Sequence, residues 1–434
     1  MARLHMPGHK GRPVLGCEAL DITEVAGADA LYEAEGIIAR SEAHASALFG
    51  TQRTCYSTEG SSQCIRAMLY LARLRAAGEA RPLILAGRNA HKVMILAAAL
   101  LDLEVRWLWP ENADFSLCRC TITPEGLARA LDALAPRVPA AVYVTSPDYL
   151  GGELDLGALA QLCHSRGMPL LVDNAHGAYL RFLPERRHPM ELGADLCCDS
   201  AHKTLPVLTG GAYLHVGQGA PALFAQRAKE ALAFFGSTSP SYLILQSLDL
   251  ANRSLAADYP RALRACAAGV DALKQRLAEA GWQVEPSDPL KLTLAASASG
   301  WDGAELAQRL RAGGVECEYA DPDAVVLMIT PANRAEDLAR IERSLGANPK
   351  TTPLLRESLR LRPPAVACTP REAAFSPRET VPAARSVGRI LAVPTVSCPP
   401  AVPVAVSGEV IGADAAAIFR YYGIPSVEVV RETP

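Results

Sequence analysis

The stretch MPLLVDNAHG, Met168–Gly177, decides the fold. Its apolar run has strand length and no polar alternation, so it reads as a strand buried on both faces. It stops abruptly on a carboxylate, an amide and an imidazole. An unpaired carboxylate at such a place would be costly, so Asp173 needs a cationic or hydrogen-bonding partner.

Working outward, the same unit recurs. Toward the N-terminus lie a helix (LGALAQLCHSRG), a strand (AAVYVTSP) and a helix that opens on Thr with Glu shortly after (TPEGLARALDAL), a helix-start pattern. Before them come the strand EVRWLW, the helix HKVMILAAALLD, the strand RPLILAG and the helix SSQCIRAMLYLARLRAAG, which ends in Gly. Toward the C-terminus, ADLCCDSAHK and GGAYLHVG read as two further strands. Apolar strands separated by helices imply a parallel or mostly parallel sheet covered on both faces. Such sheets bind ligands at the carboxyl ends of their strands.

Beyond residue 220 two long helical stretches are expected, APALFAQRAKEALAFFG and YLILQSLDLANRSLAADYPRALRACAAGVDALKQRLAEAG. A smaller alternating unit follows, with strands KLTLAAS and AVVLMIT and helices GAELAQRLRAGG and AEDLARIERSLG. The Pro-rich stretch RPPAVACTPREAAFSPRETVPAARSVGR reads as ordered surface loop, because apolar segments resume after it. The division expected is an N-terminal arm and helix over 1–50, a large cofactor-binding domain over 51–260, a small α/β domain over 261–350 and a C-terminal domain over 351–434.

Composition narrows the function. The chain has 434 residues, half of them hydrophobic, and a formal net charge of −3. That charge gives no basic field to draw nucleic acid, and no apolar run reaches the roughly 18 residues a membrane span needs. The start MARLHMPGHKGRP lacks the apolar core of a signal peptide. Twelve cysteines, scattered and without a CxxC pair, read as free thiols of a cytoplasmic protein, with no metal site.

Four clusters sit where the strands end. YSTEGSSQ (Tyr56–Gln63) opens a helix, and helix N-termini seat phosphate. GRNAHKV carries His91, LVDNAHGA carries Asp173, and DSAHKTL carries Ser200, His202 and Lys203. Each has a bland reading as a cap, a core histidine or a structural pair. In this order they match the needs of pyridoxal 5′-phosphate: a phosphate seat, a flat group to stack on the ring, a buried carboxylate for the pyridine nitrogen, and a lysine for the Schiff base.

The segments HMPGHKG, DITEVAGADALYEAEGIIARSEAHASALFG, GRNAHK, TSPDYLGG, VDNAHGA, DSAHKTLPVLTGGAYLH and GSTSPSYLILQSLDLA resemble the Orn/Lys/Arg decarboxylase family over most of the chain. The resemblance implies an α/β fold: a fold-type I (aspartate-aminotransferase-like) large domain with a mostly parallel seven-stranded sheet, helices on both faces, and smaller α+β C-terminal regions. It implies Lys203 as the Schiff-base lysine, Asp173 against the pyridine nitrogen, and His91 and Ala175 on opposite ring faces, with His176 also at the cofactor. Gly60, Ser61, Ser62, Ser200 and His202 would hold the phosphate. Thr238 would reach the phosphate of an adjoining subunit, making a homodimer with shared sites. Glu379, in the C-terminal SPRE segment, resembles the family's acidic substrate contact; its bland reading is a surface pair with Arg378 or Arg385.

The activity so implied is decarboxylation of arginine, lysine or ornithine to its amine, a step of polyamine biosynthesis. Two other readings stand beside it: another fold-type I reaction (aminotransferase, aldolase or lyase), and a non-catalytic partner subunit. Departures motivate the latter. Glu59 precedes Gly60 where the family has Asn, Asn174 stands where Glu is frequent, and Val93 where Ser is frequent. A carboxylate beside a phosphate is repulsive, so Glu59 is expected to point elsewhere. The chain reads as a short form without the N-terminal wing domain of longer relatives, and a start upstream of Met1 is an open reading.

Overall fold

Residues 2–111, 115–286, 288–346, 349, 352–356, 358–394 and 400–432 are described by a computed structural model. The elements in chain order are α1 (Ile37–Phe49), β1 (Arg53–Ser57), α2 (Gly60–Arg75), β2 (Leu83–Gly87), α3 (Lys92–Leu101), β3 (Glu104–Leu108), α4 (Pro124–Leu134), β4 (Ala141–Thr145), α5 (Leu156–Ser165), β5 (Leu170–Asp173), β6 (Leu196–Asp199), α6 (Ala201–Thr204), β7 (Ala212–Val216), α7 (Ala222–Ala233), α8 (Tyr242–Ala256) and α9 (Tyr259–Glu279). Next come β8 (Val284–Glu285), β9 (Lys291–Ala295), α10 (Gly303–Ala312), β10 (Tyr319–Ala320), β11 (Ala324–Met328), α11 (Ala335–Leu345), α12 (Pro370–Phe375), β12 (Arg378–Pro382), β13 (Leu391–Val393), α13 (Ala413–Tyr421) and β14 (Ser426–Val430).

Seven strands form the main sheet in the order β1-β7-β6-β5-β4-β2-β3. β2 and β3 run parallel, as do β5 and β6, whereas β7 is antiparallel to both β1 and β6. β1, β5 and β6 therefore point the same way, and their carboxyl ends share one edge with the start of β7. The chain divides into two compact units. The first holds Met1–Gly78, Ala140–Val144 and Leu156–Pro260, and the second Glu79–Pro139, Thr145–Asp155 and Arg261–Pro434. Residues 79–139 and 145–155 thus belong to a different unit from the rest of the 51–260 span.

In the first unit, β4, β5, β6 and β7 are buried almost throughout, as their unbroken apolar runs predict. β1 was not foreseen, because RTCYS is too short and too mixed to show a period; pairing with β7 from Arg53–Val216 to Ser57–Ala212 makes it a strand. α1 starts at Gly36, which has no side chain to cap it. Asp29 does so from seven residues away: Oδ2 accepts the Gly36 N–H at 2.8 Å and the Ile38 N–H at 3.0 Å. The long helical stretch after 241 breaks at Ala257, where φ is −112° and ψ −95°, and α9 starts again at Tyr259 with Pro260 in its first turn.

In the second unit, α4 begins as read, with Thr123 Oγ1 accepting the Gly126 N–H at 3.0 Å and Pro124 following. A four-stranded sheet, β10-β11-β9-β8, packs against α10 and α11. The Pro-rich stretch is more than loop. Thr369 and Glu372 form a capping box that starts α12, and Arg378–Pro382 pairs with β14 in a three-stranded sheet. The prolines fall where they are tolerated, at a helix start and a strand end. Arg88 and Glu409 form a buried ion pair at 3.0 Å in this unit. The guanidinium carbon of Arg88 lies 5.0 and 5.1 Å from the ring centroids of Trp107 and Trp109.

No helix among the described residues is long and apolar enough to cross a membrane. The described cysteines are all free thiols.

Candidate active site

The carboxyl edge shared by β1, β5 and β6 gathers polar groups that the sequence spreads over 150 positions. Asp173 closes β5 and is 3% exposed. Its Oδ2 accepts the Tyr143 hydroxyl at 3.1 Å, and its Oδ1 accepts the Ala175 N–H at 3.1 Å and faces the Cys198 thiol at 3.6 Å. Among the described residues no cationic side chain pairs with it. Burial, reinforced by the Asp173 charge, pushes the Tyr143 hydroxyl well above its usual range, so it remains a donor. Asp173 has its expected donors, and none of them neutralises it.

After β6 the chain makes the single turn α6. Ser200 Oγ donates to Ser61 Oγ at 2.7 Å, joining this turn to the start of α2. The His202 ring donates from Nδ1 to Gly211 O at 3.0 Å, and its Cε1 lies 3.9 Å from where a Cβ on Gly60 would stand. Half-buried Lys203 places Nζ 2.9 Å from Nε2 of His176. Lys10, by contrast, is exposed in the N-terminal arm, with its ammonium on the His5 carbonyl.

Around Gly60 the backbone is held open. Gly60 has φ +69°, its N–H donates to Gly210 O at 2.7 Å, and Gly210 has φ +100°. A Cβ on Gly210 would come within 2.8 Å of Thr58 O, so only glycine allows this approach. No side chain caps α2 at its N-cap residue, Glu59. The Glu59 carboxylate turns away and accepts the Ser237 N–H at 2.6 Å, as expected for a group that would repel phosphate. Ser57 Oγ donates to Gln63 Oε1 at 2.6 Å and accepts the Glu59 N–H at 3.1 Å. Gly60, Ser61, Ser200 and His202 thus meet at a helix N-terminus, with Ser62 next in the first turn of α2, an arrangement that fits a phosphate. Thr238 is exposed on the loop beside Ser237.

Two candidates lie in the other unit. His91 caps α3, its Nδ1 accepting the Val93 N–H at 3.2 Å, and Val93 is buried. Glu379 Oε1 accepts from Arg389 Nη2 at 2.7 Å. Glu379 thus makes a surface ion pair, with Arg389 in place of Arg378 or Arg385.

Sequence reading missed a second buried carboxylate. Asp199 is fully buried; its Oδ2 accepts from Nε2 of His188 at 3.0 Å and of His215 at 3.1 Å, and its Oδ1 accepts from Nδ2 of Asn174 at 2.6 Å. The three residues offer a metal-like geometry, but their lone pairs are engaged. His188 Nδ1 accepts the Met190 N–H at 3.3 Å, which leaves the ring proton on Nε2, pointing at Asp199. His215 Nδ1 bonds Thr54 Oγ1 at 2.8 Å. Burial pushes the Asp199 carboxyl up, and the two imidazoles more than offset this, holding it below the usual carboxylate range. In this chain a glutamate at position 174 would set carboxylate against the buried carboxylate of Asp199. The one available signal was the spacing Asp173-Asn174 and Asp199-Ser200 at two adjacent strand ends.

The family model described as "Orn/Lys/Arg decarboxylase, major domain" matches residues 11–293. The chain is 31% identical over 432 residues to the "uncharacterized protein YaaO" of Bacillus subtilis (strain 168), covering 93% of this chain and 88% of that protein. It is 28% identical to the arginine decarboxylase of the same organism, covering 94% and 88%. Among solved structures, the lysine decarboxylase LdcF of Francisella novicida superposes with a TM-score of 0.78 at 16% identity, over 99% of this chain and 79% of that one. The constitutive lysine decarboxylase of E. coli gives 0.76 at 17%, over 99% and 80%. These likenesses show the fold.

Proposed function

This chain belongs to the Orn/Lys/Arg decarboxylase family of fold-type I enzymes, and from that premise we propose that it decarboxylates arginine with pyridoxal 5′-phosphate held at the carboxyl edge of β1, β5 and β6. The observation that carries the cofactor reading is Asp173, a buried carboxylate with neutral donors and no cationic partner among the described residues. A protonated pyridine nitrogen is the partner such a group stabilises. Arginine is favoured because the curated relatives with a stated activity, from Bacillus subtilis and Bacillus anthracis among others, are arginine decarboxylases at 26–28% identity.

The cofactor supplies an electron sink for the pair left when the α-carboxylate departs as carbon dioxide. The chain supplies the rest. Lys203 Nζ is the attachment point, and His176 Nε2 at 2.9 Å can take or return a proton there. Asp173 would hold the positive charge on the ring nitrogen, and Tyr143 orients that carboxylate. The open N-terminus of α2 with Ser61, Ser62, Ser200 and His202 would bind the phosphate. By the family resemblance His91 and Ala175 would cover the ring faces, and Thr238 would serve the site of a second copy in a homodimer. The family resemblance assigns Glu379 the distal end of the substrate, a role in which the substrate's guanidinium would have to displace Arg389 from its carboxylate. With an amine as product, we assign the reaction to polyamine synthesis, and the family resemblance implies a cytoplasmic enzyme.

Purified protein loaded with pyridoxal phosphate should absorb in the visible, and Lys203→Ala should remove that band. Incubated separately with arginine, lysine and ornithine, the loaded protein should release agmatine from arginine, read by mass spectrometry. Release of cadaverine or putrescine instead reassigns the substrate. A visible band with no amine from any of the three overturns decarboxylation.

A further inference from the structure

Two loops whose tips meet at Lys203 are tied together at their roots. Asn174 begins the turn Asn174–Gly177, closed by the Gly177 N–H on Asn174 O at 2.8 Å, and this turn carries His176. Asp199 immediately precedes the Ser200–Thr204 segment, which carries Lys203. The tips touch through His176 Nε2 and Lys203 Nζ at 2.9 Å, and the roots through Asn174 Nδ2 and Asp199 Oδ1 at 2.6 Å.

The root contact is rigid for a reason. Asn174, Asp199, His188 and His215 are all fully buried. The two imidazoles fix the other oxygen of Asp199. They are themselves held from behind, His188 by Met190 N–H and His215 by Thr54. The Phe49 ring packs on both, with centroids 4.4 Å from His215 and 5.5 Å from His188. In so dry a setting a carboxylate with directional donors on both oxygens has one orientation.

We propose that Asp199 is a positioning residue: backed by His188 and His215, it clamps Asn174 and thereby sets the distance and angle between His176 and Lys203. The role rests on the reading of Lys203 as the reactive amine. It makes the histidine pair part of the catalytic frame through Asp199.

The test uses Asn174→Ala, which cuts the side-chain clamp and leaves both the Asn174 N–H on Cys198 O and the Asp199–histidine bonds intact, together with Asp199→Asn and the exchange pair Asn174→Asp/Asp199→Asn. In cofactor-free protein, the pH profile of Lys203 acylation by a small amine reagent is followed by mass spectrometry, with the thermal midpoint measured alongside. Cofactor affinity and kcat against KM follow for loaded protein. Asn174→Ala should shift the Lys203 pH profile and weaken cofactor binding by roughly 10- to 100-fold, the range of one hydrogen bond to a charged group. KM should change less than kcat, and the exchange pair should regain affinity over Asp199→Asn alone. An unchanged Lys203 profile and cofactor affinity in Asn174→Ala overturns the proposal, as does an exchange pair no better than Asp199→Asn. A wild type that forms no visible band with pyridoxal phosphate would defeat the cofactor reading instead, and the acylation profile of cofactor-free protein still decides the clamp.

Discussion

The Tyr143 hydroxyl stands 3.1 Å from Oδ2 of Asp173, with both residues buried side by side on β4 and β5. The tyrosine gives the carboxylate a neutral donor, and the role proposed for Asp173 requires it to act on the cofactor independently of that bond. Asp173→Asn should leave the fold intact and lower kcat on the order of 100- to 1000-fold, as loss of a preorganised charge does. Tyr143→Phe removes only one neutral donor, worth about 1 kcal/mol, and should lower kcat less than tenfold. Steady-state rates with saturating cofactor distinguish the two. Equal losses would mean that Asp173 works through the tyrosine.

Gly210→Ala tests the open loop. The methyl group would meet Thr58 O at 2.8 Å and force a side chain onto φ +100°. Strain of this kind costs about 1–3 kcal/mol. Because Gly210 O also receives the Gly60 N–H, the damage should reach the phosphate seat. Cofactor affinity should fall further than the thermal midpoint suggests, and a variant that binds cofactor normally would place the phosphate elsewhere.

Asp29 should make the stability of α1 depend on acid. Burial pushes its carboxyl up, but the N–H groups of Glu35, Ala30, Gly36 and Ala39 outweigh burial and leave it lowered. A lowered carboxyl contributes stability that is full above its unfolded value, near pH 3.9, and lost as pH falls through the folded value. Asp29→Asn should therefore cost about 1–2 kcal/mol near neutral pH. That gap should narrow below pH 4 in denaturation curves. A gap that is constant with pH would show that the charge plays no part.

The Arg88–Glu409 pair is a sharper case. Its side chains are 4% and 2% exposed, and an arginine cannot shed its charge. Glu409→Ala strands a buried cation and should destabilise by about 3–5 kcal/mol. Replacing both residues with apolar ones of similar volume should recover much of that loss in urea titrations. If Glu409→Ala is nearly silent, water reaches Arg88 and the pair is not dry.

The strands and most helices could be read from local pattern because burial on both faces leaves an unbroken apolar run, as in LLV before Asp173. β1, β8 and β10 could not, since two to five residues carry no period and pairing alone makes them strands. α12 and β12 hid behind prolines that sit where the backbone tolerates them. The break at Ala257 was hidden because its flanks are equally helical in composition.

For the site, the residue types were legible at the strand ends: Gly60, Asp173, Ser200 and Lys203 announce themselves by chemistry that an apolar strand does not need. Sequence alone determined the α/β class, because burial on both faces leaves unbroken apolar runs, and it placed Asp173 at a buried strand end where a charge needs a partner. Which partners each group has was decided only by tertiary structure. His188, His215 and Thr54 reach Asp199 from three separate segments, and Tyr143 reaches Asp173 across a strand pair. Hydrogen bonds are short-ranged and directional, so they depend on how the strands align in the sheet.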